Sequence, residues 1–266
     1  MPVPRPPLKW AGGKRWLVPH LQPLWEVHRT RYPKARLVEP FCGGLAVTLG
    51  LLPDRALLND INPHLISFYR WIQQGLVIDL KMENDSATYY AYRDRFNALL
   101  KAGKGNSKEA VALFYYLNHT GYNGLCRFNS GGAFNVPFGR YKHISYQADF
   151  SAYRSLFQRW TFSSGDFEAL RIQESDFIYA DPPYDVPFRQ YAADGFSWED
   201  QLRLAHWLAA LPNTVVASNQ ATERIVSLYD SLGFTLYFLD APRMISCTGD
   251  RTKAKEMLAI KVAQDD

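Results

Sequence analysis

The sequence predicts an α/β fold, a doubly wound and mainly parallel sheet carrying an inserted helical, hairpin-bearing domain. Three observations lead there. Apolar runs end on an acid in "ARLVEP", "RALLND" and "FIYADPPY". Two further strand-like runs, "NTVVASN" and "TLYFLD", follow with helix signals between them. The middle of the chain, residues 61–148, changes to helical spacing. Alternating strands and helices are the pattern of a parallel sheet, whose buried strands read as short continuous apolar runs.

In chain order, the first strand ends at Glu39, residues 41–44 make a tight turn through Gly43 and Gly44, and a helix is expected over 45–52. The second strand ends at Asp60. Pro63 suits the first position of a helix over 63–74; Ser86 caps the next, whose Tyr89, Tyr90, Arg93, Phe96, Asn97 and Leu100 share helical spacing; Ser107 caps a third over 108–118. Two short runs, 125–128 and 133–136, flank Asn129-Ser130-Gly131-Gly132, a hairpin signal. Beyond the strand at 177–180, Ser197 caps a helix over 198–211, and Thr222 opens another that Gly233 can terminate. The chain shows no internal repeat and no low-complexity tract.

Composition narrows the function classes. The chain has 266 residues, 47% hydrophobic and 21% charged, enough for a sizeable core. Cys42, Cys126 and Cys247 are too few and scattered for a disulfide framework, so a reducing, cytoplasmic setting is expected. No apolar run approaches spanning length and the N-terminus has no apolar leader segment, which argues against membrane insertion or secretion. His20, His28, His64, His143 and His206 lack metal-ligand spacing, and no metal is expected. A net charge of +4 permits a nucleic-acid partner without establishing one. Four basic clusters stand out: Arg29 with Arg31, Lys34 and Arg36; Lys101 with Lys104 and Lys108; Arg140 with Lys142; and Arg251 with Lys253 and Lys255. Each by itself reads as a solvated face.

The motif "LVEPFCGGLAV" places an acid and then glycines after a strand, where open α/β sheets bind ligands. A dinucleotide would want G-x-G-x-x-G, which is absent, and Glu39 would repel phosphate. A cofactor with a positive ammonium and sulfonium, S-adenosylmethionine, would be drawn to Glu39, with Asp60 taking ribose hydroxyls. A plain turn in which Gly43 and Gly44 serve packing stays open beside that reading. "KWAGGKRW" fails the P-loop pattern because Arg15 stands where Ser or Thr must hold magnesium. Lys14 can bind a methionine carboxylate with Trp10 as a wall, or the glycines can simply precede a helix.

The sharpest signal is Asp181-Pro182-Pro183-Tyr184. Two prolines remove donors and leave carbonyls, so the segment offers acceptors and an aromatic face. The exocyclic amino group of a nucleobase is a poor nucleophile because its lone pair is delocalised into the ring. Accepting its hydrogens with the Asp181 carboxylate and the Pro182 carbonyl raises lone-pair density for attack on a methyl carbon. Tyr184 would stack on a base turned out of the duplex. The structural alternative is a proline-rich turn closing a strand.

Taken together, "LKWAGGK", "LVEPFCGG", "LLNDIN", "LISFYRW", "YLNHTGYNGLCRFNSGGAFNVPFGRYK" and "DPPY" resemble the DNA adenine methylase (Dam) family over nearly the whole chain. The resemblance implies an S-adenosylmethionine-binding catalytic domain at 1–60 and 149–266, and a target-recognition domain at 61–148. It implies double-stranded DNA as partner, the adenine amino group in GATC as acceptor, and a monomer in solution. Trp10, Lys14, Glu39, Asp60, Asp166, Phe167 and Asp181 would bind the cofactor. Asp181, Pro182 and Tyr184 would hold the flipped adenine. In the hairpin, Arg127 would read guanine, Tyr122 and Asn123 would fill the vacated space, and Leu125 and Pro137 would touch a thymine methyl. Lys9 would add a guanine contact, while Arg140, Tyr141 and Lys142 would anchor the backbone. Two departures bear on the target: His119 stands where relatives commonly have arginine, and the segment after Tyr184 is short. The same chemistry on another DNA sequence, an amino-methyltransferase acting on RNA or protein glutamine, and a non-catalytic DNA-binding module are the competing readings.

Overall fold

The computed structural model describes residues 4–185, 195–241 and 255–263. Helix α1 (Val18–Arg31) precedes β1 (Leu37–Glu39), α2 (Thr48–Leu51) and β2 (Ala56–Asp60). Helices α3 (Pro63–Gln73), α4 (Ser86–Lys101), α5 (Lys108–Thr120) and α6 (Ser151–Phe157) follow, then β3 (Trp160–Ser164) and β4 (Phe177–Ala180). The chain continues through α7 (Trp198–Ala210), β5 (Thr214–Gln220), α8 (Glu223–Ser231), β6 (Thr235–Asp240) and β7 (Lys255–Lys261).

The seven strands form one sheet in the order β3-β2-β1-β4-β5-β7-β6. β1 pairs in parallel with both β2 and β4, and β4 with β5; β7 runs antiparallel to β5 and β6. The chain leaves β1 for β2 on one side and later returns to β4 on the other, so the order reverses at β1 and β4. Open α/β sheets bind ligands beyond the carboxyl ends of strands at that reversal. Glu39 ends β1, and Asp181 directly follows β4.

Two compact units divide the chain. One comprises Met1–Arg15, Cys42–Asp54 and Asn59–Gly165; the other comprises Trp16–Phe41, Arg55–Leu58 and Asp166–Asp266. In the first, every residue of α5 from Ala110 to Thr120 is buried, the mark of an interior helix rather than an amphipathic surface one. Its Tyr115 stacks on Phe68 of α3 at 5.5 Å, and Phe150 meets both rings edge-on. In the second, Val38, Ile178, Ala180, Val215, Ala217 and Met257 from the strands pack with Leu204, Leu208, Ile225 and Tyr229 from α7 and α8.

Most helix starts follow their predicted caps: Ser107 Oγ accepts from Ala110 N, Thr222 from Ile225 N, and Ser197 forms a capping box with Asp200. Four expectations are corrected. The helix expected over 45–52 shrinks to α2, because Leu45 takes a left-handed φ of 62° and extends the glycine turn. The cap of α4 is Asp85, whose carboxylate accepts from Thr88 N, with Ser86 already helical. The hairpin runs meet only at a Phe128–Phe134 bridge with two flanking backbone bonds, Asn129 N to Ala133 O and Asn135 N to Arg127 O. Strands β3 and β7 were not anticipated. Cys247, Arg251 and Lys253 lie outside the described residues, as do residues 186–194 of the short segment after Tyr184.

Candidate functional site

In the second unit, the residues beyond β4 are held one after another by neighbouring elements. Ser218 of β5 donates its hydroxyl to Asp181 Oδ1 at 2.8 Å, and the Tyr179 hydroxyl lies 3.0 Å from the same Ser218 oxygen. Pro182 is buried. The Pro183 carbonyl accepts from Gln201 Nε2 at 2.8 Å, and Gln201 Oε1 accepts from Asn219 Nδ2 at 3.0 Å. The Tyr184 hydroxyl donates to Glu256 Oε1 at 2.5 Å. Asp185 pairs with the Arg224 guanidinium and accepts from Thr222 Oγ1. Alternate residues of β5 point to opposite faces of the sheet. Ser218 and Asn219 therefore face opposite sides of the sheet, the first bonding Asp181 directly and the second acting through Gln201.

This cluster is acidic. Glu39 is 3% exposed at the end of β1. The Tyr179 hydroxyl is held above its ordinary 10.0, first by burial and then by the Asp181 charge, with Glu39 and Glu256 adding to it. It therefore stays a protonated donor. Three carboxylates around a strand end suit a ligand that brings positive charge or N–H and O–H donors.

Asp166 and Phe167 lie beside an aromatic group. Asp166 accepts two bonds from Arg203, at 2.8 and 3.0 Å, which holds its carboxyl below the usual range. Phe167 is 3% exposed, packed at 5.7 Å from Phe41 and 5.4 Å from Trp207, with the Arg203 guanidinium over its ring.

In the first unit, Trp10 lies against the glycine turn. A Cβ on Gly43 would fall 2.8 Å from Trp10 Nε1, and one on Gly44 2.8 Å from Trp10 Cβ, so both glycines are needed for that contact. The packing reading of these glycines is thus visible. Asp60, ending β2, accepts from Gly43 N at 3.1 Å and Asn62 N at 2.9 Å; burial raises its pKa, and those two bonds oppose the rise. Lys14 is buried, its ammonium donating to the Gly12 carbonyl at 3.1 Å.

Lys9 is clasped by Asn118 through both backbone groups, and its ammonium donates to the His119 carbonyl at 2.7 Å beneath the Tyr141 ring. Tyr122, Asn123, Leu125, Arg127, Pro137 and Arg140 are exposed, and Tyr141 is half-buried with its hydroxyl on the Gly121 carbonyl. The Arg127 guanidinium donates to Asn135 Oδ1 at 2.7 Å and to the Asn135 carbonyl at 3.2 Å. His119 is interior, 8% exposed, its ring nitrogens 2.6 Å from the Ser145 carbonyl and 3.1 Å from that of Pro7. The departure from arginine at 119 therefore lies inside the unit and not on the exposed hairpin face.

Sequence reasoning missed Ser218, Asn219, Gln201, Glu256, Phe41 and Arg203. A signal existed for the first two, since "VVASN" ends an apolar run on polar residues just as "LVE" does. Among the described residues no group of His, Cys, Asp and Glu is arranged to hold a metal, and no helix is long and apolar enough to cross a membrane.

Residues 10–245 match the family described as D12 class N6 adenine-specific DNA methyltransferase. The chain is 35% identical over 272 residues to the retron Ec67 DNA adenine methylase of Escherichia coli, covering 97% of this chain and 91% of that protein. It is 36% identical to the DNA adenine methylase of Vibrio cholerae, with 95% and 94% covered. It is 34% identical to the type II methyltransferase M1.LlaDCHI of Lactococcus lactis, with 90% and 88% covered.

Proposed function

Because the chain belongs to the D12 class of N6 adenine-specific DNA methyltransferases, we propose that its methyl donor is S-adenosylmethionine and that its target is the adenine of GATC. The observation that carries the reading is the Asp181-Pro182-Pro183-Tyr184 segment, held at the carboxyl end of β4 where the sheet order reverses. S-adenosylmethionine supplies an electrophilic methyl carbon on a positive sulfonium. The residues present fit such a group by their chemistry: buried Glu39 and half-buried Asp60 are acceptors for hydroxyls or an ammonium, Lys14 is a cation for a carboxylate, and Trp10, Phe41 and Phe167 are aromatic.

In this reading the Asp181 carboxylate and the Pro182 carbonyl accept the two hydrogens of the adenine amino group and direct its lone pair. Ser218 keeps the Asp181 carboxylate in place while it does so. Tyr184 stacks on the extruded ring, a contact that offsets part of an unstacking cost of a few kcal/mol. Glu39, Trp10, Lys14, Asp60, Asp166 and Phe167 serve the donor.

Residues 61–148 form the target-recognition domain of this proposal, with the exposed hairpin on the DNA. Arg127 reads a guanine through its two-pronged guanidinium, which Asn135 already holds at the hairpin surface. Tyr122 and Asn123 enter the space left by the adenine, Leu125 and Pro137 meet thymine, Lys9 adds a guanine contact, and Arg140, Tyr141 and Lys142 hold phosphate. Arg127→Ala is expected to cost about 1–3 kcal/mol on GATC and to relax choice at one base pair. Initial rates on GATC and on singly altered duplexes check this. An equal slowing on every duplex would make Arg127 a phosphate anchor.

A further inference from the structure

Tyr184 and Glu256 are 72 residues apart, and strand β7 brings them together. Inserted beside β5 with Glu256 opposite Gln220, β7 carries the carboxylate to the edge of the sheet where Tyr184 lies. Glu256 is 4% exposed, and an ionised carboxylate buried to that degree is costly unless hydrogen-bond donors meet it. The Tyr184 hydroxyl is one such donor. Burial first, then the charges of Asp181 and Glu256, raise the pKa of that phenol far above its ordinary 10.0, so it remains protonated and continues to donate.

The ring is consequently fixed at both ends. Its backbone follows two prolines, whose φ angles are locked, and the Pro183 carbonyl is itself bound by Gln201. Its hydroxyl is tied to β7. These restraints fix the ring's long axis, and because a phenolic O–H prefers to lie in the plane of its ring, donation to a fixed Glu256 oxygen also favours one ring plane. A stacking surface that keeps its plane before the base arrives avoids ordering costs on binding.

We propose that Glu256 is a positioning residue, holding the Tyr184 ring in the plane that receives the flipped adenine and using the phenol as a tether rather than as an acid or base. This rests on the reading that Tyr184 stacks on the adenine. It assigns a role to a residue in a strand remote from the Asp-Pro-Pro-Tyr segment in sequence.

The test combines methylation kinetics on a GATC duplex with the fluorescence of 2-aminopurine placed at the target position. Glu256→Ala and Tyr184→Phe should each lower kcat/KM at least about tenfold, the order that a hydrogen bond to a charged group is worth. The double variant should be no slower than the slower single one, because both remove the same bond. Glu256→Gln, whose amide oxygen still accepts, should recover most of the loss, and the 2-aminopurine signal should shift alike in Glu256→Ala and Tyr184→Phe. Multiplying losses, or full activity in Glu256→Ala while Tyr184→Ala is inactive, would overturn the tether and leave the stacking role standing. Full activity in Tyr184→Ala would overturn the stacking role and the tether with it. Should Glu256→Ala fail to fold, Tyr184→Phe decides alone: a loss supports the tether and full activity overturns it.

Discussion

Asp181→Ala should lower the rate of methyl transfer to duplex DNA by at least about 10²–10³-fold, the range that follows removal of one preorganised polar group aimed at a reacting atom. The carboxylate stands directly after a fully buried apolar strand, Phe177–Ala180, and its Oδ1 is fixed by Ser218. On the proposed role, the amino group of the substrate then loses its charged acceptor and keeps only the Pro182 carbonyl. The fold should survive. Ser218 keeps the Tyr179 hydroxyl as partner, so no buried hydroxyl is orphaned. Transfer of labelled methyl groups by purified wild-type and variant protein, with thermal midpoints measured in parallel, separates the two effects. Retention of more than about a tenth of the activity would remove Asp181 from the chemistry.

Arg36→Ala should cost about 3–5 kcal/mol of stability, because it leaves a buried carboxylate without its cation. Asp176 is fully buried and receives Arg36 through two parallel bonds, Nε to Oδ1 at 2.8 Å and a terminal nitrogen to Oδ2 at 2.7 Å. The same guanidinium caps the Arg171 carbonyl at 3.1 Å, and Asp176 Oδ2 also accepts from Gln173 N. One backbone donor does not replace a guanidinium. The pair sits where β1 and β4 begin, with Phe177 N donating to the Arg36 carbonyl. Its loss therefore loosens the two strands whose far ends carry Glu39 and Asp181. Against a typical domain stability of about 5–15 kcal/mol this is a large fraction. Urea unfolding should show a lowered midpoint with an unchanged slope, and Arg36→Ala with Asp176→Ala should recover part of the loss. An unchanged midpoint in Arg36→Ala would contradict the reading.

Arg36 also illustrates what the sequence conceals. Grouped with Arg29, Arg31 and Lys34 it reads as one member of a solvated basic face, yet its partner is an acid 140 residues away. The strand ends at Glu39, Asp60 and Asp181 were legible because an apolar run stopping on an acid is a local pattern, as are the caps at Ser197 and Thr222. Strand β7 was not, since its apolar run Met257–Ile260 is only four residues between charged ends, and only the register with β5 explains a buried carboxylate at Glu256. Strand β3, "WTFSS", alternates but buries only Trp160 and Phe162, two apolar residues too few to mark a strand. Leu45 is a similar case: a left-handed leucine has no compositional mark, and it shortens the helix that "LAVTLGLL" suggests. The supports of the Asp-Pro-Pro-Tyr segment, Ser218, Gln201 and Glu256, lie 37, 18 and 72 residues from the groups they hold, so only strand pairing and helix packing reveal them.

The central claim is tested most directly by incubating the purified protein with S-adenosylmethionine and unmodified duplex DNA and then reading the position of every methylated base. N6-methyladenine is expected within GATC on both strands and nowhere else. N6-methyladenine in other sequences would contradict the target, and methyl groups on cytosine, or on no base at all, would contradict the account.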